Sequence, residues 1–592
     1  MEGDYTWVSR ALVTMRKTMI APISRSKTLE SIVALVLCTL CNAAFAQDTN
    51  YRDVKIEQGV VRGYRSVEEN IFTFQSIPYA IVPSGLDFYK APLPPPSWND
   101  TFDAVDRKII CQQHRQYPPG LVEVKEQCLI VNVFVPDTKQ EKLPVVVFVH
   151  GGAFLFGYGN SRTPKNLVKS GKIIAVTFNY RVGPHGFLCL GTDAAPGNAG
   201  MKDQIELLRW VQRNIAEFGG DTSDVTIAGC SAGSASIDLL LISKQSKGLF
   251  KRAIGGSGSN LNAFAVQTRP LENAKYFAQQ MGFNDTNDIV ALEKFYLNTP
   301  YEALSLKSAE LAQTTNSVTL FSPCVEKDIG QEIFLHDSPF KILSDGNFLK
   351  VPMLYGYCNM EGIYRVNMFD TWRDKMNENF VNFLTPDLGN DEENRVKLAE
   401  DIKRLYFGVG PVTNSSILDY IDFFTDIMFG YGMLRSAKLQ LDVGNDQLYL
   451  YKYSFADESD DYIPHTAERG ATHCAQAHAV MDLGDESKLS EKYRNVKVIM
   501  RDLWLNFITT GVPVPAGSNY PAWPPMSQQR SYMSLNSTLE FRDSMLSERT
   551  KFWEEAFAKY YKYPAPPNPT SSSTSINVPH NMHSDLRCSN NY

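Results

Sequence analysis

Asp224-Val225-Thr226-Ile227-Ala228-Gly229-Cys230-Ser231-Ala232-Gly233 decides how this chain folds. Asp224 to Ala228 is β-branched and apolar and reads as a buried strand, and Ser234 to Lys244 reads as a helix with Ile237, Leu240 and Leu241 on one side. A strand turning sharply into a helix needs neighbours without bulk, which Gly229 and Gly233 supply. Ser231 is then left at the apex with its hydroxyl outward, the strand–turn–helix setting of a nucleophile elbow.

Upstream, Leu143 to His150 is an unbroken apolar run that ends in His150-Gly151-Gly152, and Lys172 to Phe178 is another. Runs apolar on both faces suit central strands covered on each side. Gln204 to Phe218 reads as a helix, with Leu208, Val211, Ile215 and Phe218 at spacings of three and four and Gly219-Gly220 as its stop. Strand and helix in alternation imply crossover units: an α/β fold with a large, mostly parallel central sheet and helices on both faces. Beyond Lys244 the pattern turns helical and loop-rich, as a helical cap region would. Strands return at Val351 to Tyr357 and Gln447 to Ser454, and late helices at Arg501 to Thr510 and Leu546 to Tyr561. The last carries Trp553, Ala556, Phe557 and Tyr560 along one stripe.

A serine hydroxyl needs a base and a group that holds the base. In such sheets these sit in loops at the carboxyl ends of strands, in chain order serine, acid, histidine. Glu361 follows the Val351 strand, and His473 follows the Gln447 strand, with His465 as a rival in the same loop. Backbone donors for an oxyanion are available at Ala232 and at Gly151 and Gly152.

The amino terminus places the apolar stretch Ser31 to Leu40 after Arg16, Lys17, Arg25 and Lys27 and before Ala44-Phe45-Ala46. That reads as a secretory signal, residues 1–46, with cleavage expected after Ala46, Met15 or Met19 as alternative starts and a signal anchor as the alternative reading. The stretch is short for a bilayer and nothing later is longer, so no stable membrane span is expected. A secreted, extracellular protein could be glycosylated at the sequons of Asn99, Asn284, Asn414 and Asn536. Cys111 and Cys128 bracket a polar segment and are the expected disulfide, worth about 3 kcal/mol on the chain-entropy model. The other cysteines are scattered and read as small buried hydrophobes. Residues 47–563 read as one domain, and 564–592, rich in Pro, Ser, Thr and Asn, as a disordered tail. With 65 acidic against 58 basic residues and no long basic run, no nucleic-acid partner is expected. His473, Cys474 and His478 lack a second ligand cluster, so neither metal nor cofactor is expected.

Taken together, the chain resembles the type-B carboxylesterase and cholinesterase-like family of the α/β-hydrolase fold, with the look of an insect-type carboxylesterase. The resemblance runs from about Gly59 to Tyr561. It is carried by His150-Gly151-Gly152-Ala153-Phe154, Asn179-Tyr180-Arg181, Ala195 to Gly200, Trp210 to Ile215 and the elbow, then Ser257-Gly258-Ser259, Glu361-Gly362, Gly470-Ala471-Thr472-His473 and Trp504 to Phe507. It implies Ser231, Glu361 and His473 as a triad and Gly151, Gly152 and Ala232 as the oxyanion hole. It also implies Ser257 as a partner of the acid and Phe264 as a wall of the acyl pocket. The activity implied is hydrolysis of small-molecule carboxylic esters; the alternative is a catalytically silent cholinesterase-like adhesion or binding protein. The sequence leaves monomer or homodimer open. The chain also departs from the family. Cys230 stands where Glu is common before the nucleophile, and Ala475-Gln476-Ala477 replaces an acidic-Leu segment. Asp87-Phe88 stands for Arg-Phe, and no Trp lies between Cys111 and Cys128, which argues against choline esters.

Overall fold

The computed structural model describes residues 50–568 apart from 67–69, 115–116, 119, 315–319, 390 and 483. The expected signal peptide and the tail from 569 onward lie outside the described residues. Twelve strands form the main path of one sheet: β1 (Tyr51–Ile56), β2 (Gly59–Ser66), β3 (Ile71–Pro78), β4 (Ile130–Pro136), β5 (Leu143–Val149), β6 (Ile174–Phe178), β7 (Gly220–Cys230), β8 (Arg252–Gly256), β9 (Met353–Cys358), β10 (Leu448–Tyr453), β11 (Tyr532–Leu535) and β12 (Leu539–Arg542). Their spatial order is β1-β2-β3-β4-β6-β5-β7-β8-β9-β10-β11-β12, and the short strand Phe102–Asp103 pairs with β2 off this path. From β6 through β11 every neighbouring pair is parallel, while the strands at either end are antiparallel. This is the α/β-hydrolase architecture.

The period of two along the central strands divides the interior into two cores. In β5, Val145, Val147 and Val149 enter one core, and Val146 and Phe148 the other. In β9, Met353, Tyr355 and Tyr357 share the first, and Leu354 and Cys358 the second. Helices α1 (Ala199–Asn214) and α2 (Ala232–Ile242) cover the first face. Helix α3 (Glu491–Thr510) covers the second, stacking Trp504 on Phe148 with ring centroids 5.8 Å apart. A layer of buried apolar side chains on both faces explains why the central strands read as continuous hydrophobic runs.

Two helices begin earlier than the apolar pattern suggests. The first turn of α1 buries Lys202 and Asp203, which carry no hydrophobic signal because each is neutralised from elsewhere in the chain. Arg181 reaches Asp203 at 2.6 Å, and Lys202 reaches Glu326 at 2.9 Å. Helix α3 starts ten residues before Arg501, at a Ser490 side chain that accepts the Tyr493 amide. There Lys497 is buried, donating to the His478 and Met481 carbonyls.

Cys111 and Cys128 are disulfide-bonded, with Cα atoms 4.9 Å apart. The reading of the remaining cysteines as unpaired hydrophobes needs correction: Cys189 pairs with Cys324, and Cys230 with Cys474. The partners lie 135 and 244 residues apart, so spacing along the chain carries no hint of them. Cys358 stays a free, buried thiol.

Candidate active site

Strand β7 ends at Cys230 and α2 begins at Ala232, leaving Ser231 alone at the turn with φ 60° and ψ −128°. A non-glycine residue at positive φ is strained. The turn survives because its flanks have no side chains: a Cβ on Gly229 would sit 2.5 Å from the Gly233 carbonyl carbon, and one on Gly233 would sit 2.2 Å from the Val149 carbonyl oxygen. The Ser231 amide donates to the Gly256 carbonyl at 2.8 Å, tying the turn to β8.

His473 lies in the loop after β10. Its Nε2 is 2.8 Å from Ser231 Oγ, and its Nδ1 is 2.6 Å from Glu361 Oε2. With Nδ1–H donating to the carboxylate, Nε2 is left to accept the serine proton, the tautomer that a base needs. Glu361, which follows β9, is fully buried, and its other oxygen accepts from Ser257 Oγ at 2.5 Å and the Cys358 amide at 2.7 Å. Ser257 in turn accepts from Gln476 Nε2 at 2.7 Å, and Gln476 Oε1 lies 2.7 Å from Cys358 Sγ. Burial and the nearby Glu361 charge push the Cys358 thiol well above its ordinary pKa, so it serves as a neutral donor. The rival His465 faces Asp370 and Phe369 instead, far from this cluster in its contacts.

The amides near Ser231 point to an anion site. Ala232 is the first residue of α2, ahead of the helical bonding pattern. Among the described residues no acceptor takes the amides of Gly151 or Gly152. The His150 ring stacks on Tyr180 at 4.2 Å and its Nδ1 lies 2.9 Å from the Gly151 carbonyl. Burial holds its pKa down to about 4, so the ring is neutral near pH 7 and can donate from Nδ1, fixing the Gly151–Gly152 peptide.

Phe264 is buried but reaches the cluster through another ring: it packs on Phe429 at 5.6 Å, and Phe429 stacks on His473 at 4.2 Å. Tyr364 also faces His473, at 5.6 Å. Phe429 sits in a π-helical turn, Asp426–Gly430, a geometry that recurs at functional sites. Sequence reasoning missed Phe429 and Tyr364, since single aromatic residues in a helical insert carry no pattern of their own, and it met Gln476 only as part of a departure from the family, with no role. A separate polar hollow of about 410 Å³, lined by Tyr357, Asp426, Lys452 and Arg549 among others, contains none of Ser231, Glu361 or His473.

The carboxylesterase family profile matches residues 50–553. The chain is 32% identical over 517 residues to a juvenile hormone esterase of Heliothis virescens, covering 82% of this chain and 90% of that protein. It is 31% identical over 503 residues to esterase FE4 of Myzus persicae, covering 81% and 88%. Among solved structures it is similar to the juvenile hormone esterase of Manduca sexta with OTFP covalently attached. There the TM-score is 0.75 and the identity 28%, over 86% of this chain and all of that one.

Proposed function

This chain belongs to the carboxylesterase family and is a carboxylic ester hydrolase, and from that premise we propose that it works through Ser231, His473 and Glu361 by way of an acyl-enzyme. One observation carries the reading: a single imidazole lies within hydrogen-bond reach of both the serine hydroxyl and a fully buried carboxylate.

His473 Nε2 takes the Ser231 proton as Oγ attacks the ester carbonyl carbon. Glu361 stabilises the imidazolium through Nδ1–H, and Ser257, Gln476 and the Cys358 amide hold the carboxylate in place. The carbonyl oxygen becomes an oxyanion, to which the amides of Gly151, Gly152 and Ala232 donate. Each donor of this kind is worth roughly 10²–10³ in rate. His473 returns its proton to the leaving alcohol. Water then repeats the sequence on the acyl-serine, releasing the acid and restoring the hydroxyl. The aromatic rings of Phe429, Tyr364 and Phe264 suit an apolar substrate, so the substrate class is small-molecule esters with apolar groups near the carbonyl.

The chain is read as secreted, with a mature domain from Gln47 to Tyr563. The sequon residues Asn99, Asn284, Asn414 and Asn536 are all exposed, which suits glycosylation. No helix among the described residues is long and apolar enough to cross a membrane. Protein collected from the medium of a eukaryotic host tests both parts. Its amino-terminal residue should be Gln47, and a fluorophosphonate should label Ser231. Ser231→Ala should lose more than about 10³-fold in hydrolysis of a short nitrophenyl ester with its thermal midpoint unchanged. Folded protein that neither hydrolyses the ester nor takes the label would leave the non-catalytic binding reading in its place.

A further inference from the structure

One of the departures from the family pattern, Cys230 before the nucleophile, is one end of a bond whose other end directly follows the histidine. Cys230 immediately precedes Ser231, Cys474 immediately follows His473, and the two sulfurs are joined. We propose that the Cys230–Cys474 disulfide is a positioning crosslink for the reaction: it holds the base-bearing loop at hydrogen-bond distance from the nucleophile turn. This rests on the triad reading above and adds a role for residues outside the triad.

The attachment of the loop is uneven without it. On the acid side, Met360 donates to the Ala471 carbonyl at 3.2 Å, Ala471 donates to Asn359 Oδ1 at 3.2 Å, and His473 bonds Glu361 directly. On the nucleophile side the direct hydrogen bond is the one from Ser231 to His473, which must break in every turnover. Gln476 adds a hydrogen bond to Ser257 and a 3.7 Å contact with Cys230 Sγ. The disulfide supplies a link that does not break during the reaction.

The backbone also needs holding there. Cys474 is in the left-handed region with φ 64°, and Ser231 has φ 60°. Both carry a Cβ, for which these conformations are unfavourable. Fixing the Cys474 Cβ against the Cys230 Cβ opposes relaxation of the loop. Cys474 Sγ also lies 3.7 Å from His473 Nε2, filling space into which the ring could swing or water could enter. With Ala477, the two cysteines form a small buried cluster beside the base. A displacement of about 1 Å between reacting groups can cost on the order of 10²-fold in rate.

Peptide mapping of the non-reduced protein should recover residues 230 and 474 on one disulfide-linked pair. Free thiols at both positions would overturn the proposal. The double variant Cys230→Ala/Cys474→Ala should lose about ten- to a hundred-fold in kcat for a nitrophenyl ester, with KM within about three-fold. Fluorophosphonate labelling of Ser231 should slow by the same factor. A lowered thermal midpoint with unchanged kcat and labelling rate would reduce the bond to a stabiliser and overturn the proposal. Should the variant not fold, the folded wild type answers instead. Dithiothreitol is raised until mapping shows this bond open; two electrons and two protons pass to the sulfurs and the reagent leaves as its cyclic disulfide. Hydrolysis should fall in step with that opening and return on reoxidation, and full activity with the bond open would refute the role. Wild type that takes no label at Ser231 would sink the serine mechanism itself, an outcome separate from all of these.

Discussion

Gly152 shows how much a single hydrogen atom in place of a side chain can decide. Its φ is +116°, and a Cβ there would lie 2.0 Å from the Phe156 carbonyl oxygen and 2.8 Å from its carbon. Those are backbone atoms of a tight turn in which Leu155 and Phe156 both donate to the Gly152 carbonyl, so they cannot yield as a flexible side chain would. The left-handed φ adds strain of its own. Gly152→Ala should therefore rotate the Gly151–Gly152 peptide away from the oxyanion position proposed above. The expected loss is about 10²–10³ in kcat, the scale for one oxyanion donor. Steady-state kinetics on a protein whose near-ultraviolet circular dichroism is unchanged would check it. Wild-type kcat in the folded variant would remove these amides from the mechanism. Ser257 and Gln476 act at the same scale but further out, by fixing which oxygen of Glu361 faces the imidazole.

At the scale of elements, helix α4 (Glu548–Tyr560) and the π-helical turn that carries Phe429 are one packed unit. Trp553 is 1% exposed, and its Nε1 donates to Tyr406 Oη at 2.8 Å. That hydroxyl donates onward to Asp426 Oδ2 at 2.6 Å, at the start of the π turn. Arg435 lies over the Phe557 and Tyr561 rings at 4.9 and 4.3 Å, adding cation–π attraction across the same seam. Trp553→Ala would leave a large cavity and remove the donor to the Tyr406 hydroxyl. The expected cost is about 3–5 kcal/mol, seen as a lower guanidinium midpoint. A midpoint within error of wild type would mean that this helix is not part of the cooperative unit.

At the scale of the whole molecule, acid should unfold this protein through its buried histidines. Burial lowers the pKa of His150 and His185 to about 4 and of His478 to about 3, helped for His478 by the nearby Arg162, His473 and Lys497 charges. In the unfolded chain each titrates near 6.5. Between these values the unfolded state binds more protons, so stability is full above about pH 6.5 and is lost as pH falls toward 4. His150 and His185 each contribute at most about 3 kcal/mol, and His478 at most about 5 kcal/mol. Asp238 runs the other way. Burial raises its carboxyl to about 6 despite donors from Ser436, Asn260, Tyr355 and Gln440, so its contribution is present in acid and lost as pH rises through about 6. Burial raises the carboxyls of Asp387, Asp419, Asp426 and Asp482 as well, so these offset part of what the histidines lose in acid. The thermal midpoint should drop from pH 7 to pH 4.5, and His185→Gln should flatten the slope. A slope unchanged in that variant would contradict the burial of the His185 ring.

Local pattern along the chain was enough for the parallel sheet, the elbow and the loops that bear Glu361 and His473. Strand hydrophobicity, glycine placement and residue order are properties of neighbours in sequence, and each left its mark there. The first turn of α1 and the first half of α3 were not legible, because the charges they bury are cancelled by Arg181, Glu326 and carbonyls far along the chain. The same distance hid the stacking of Phe429 on His473. The amino-acid sequence by itself determined which kind of molecule this is and which chemical groups it could use. Only the tertiary structure decided that Cys230 and Cys474, 244 residues apart, are bonded beside Ser231 and His473, because pairing at such separation is set by where the packed core brings two segments together.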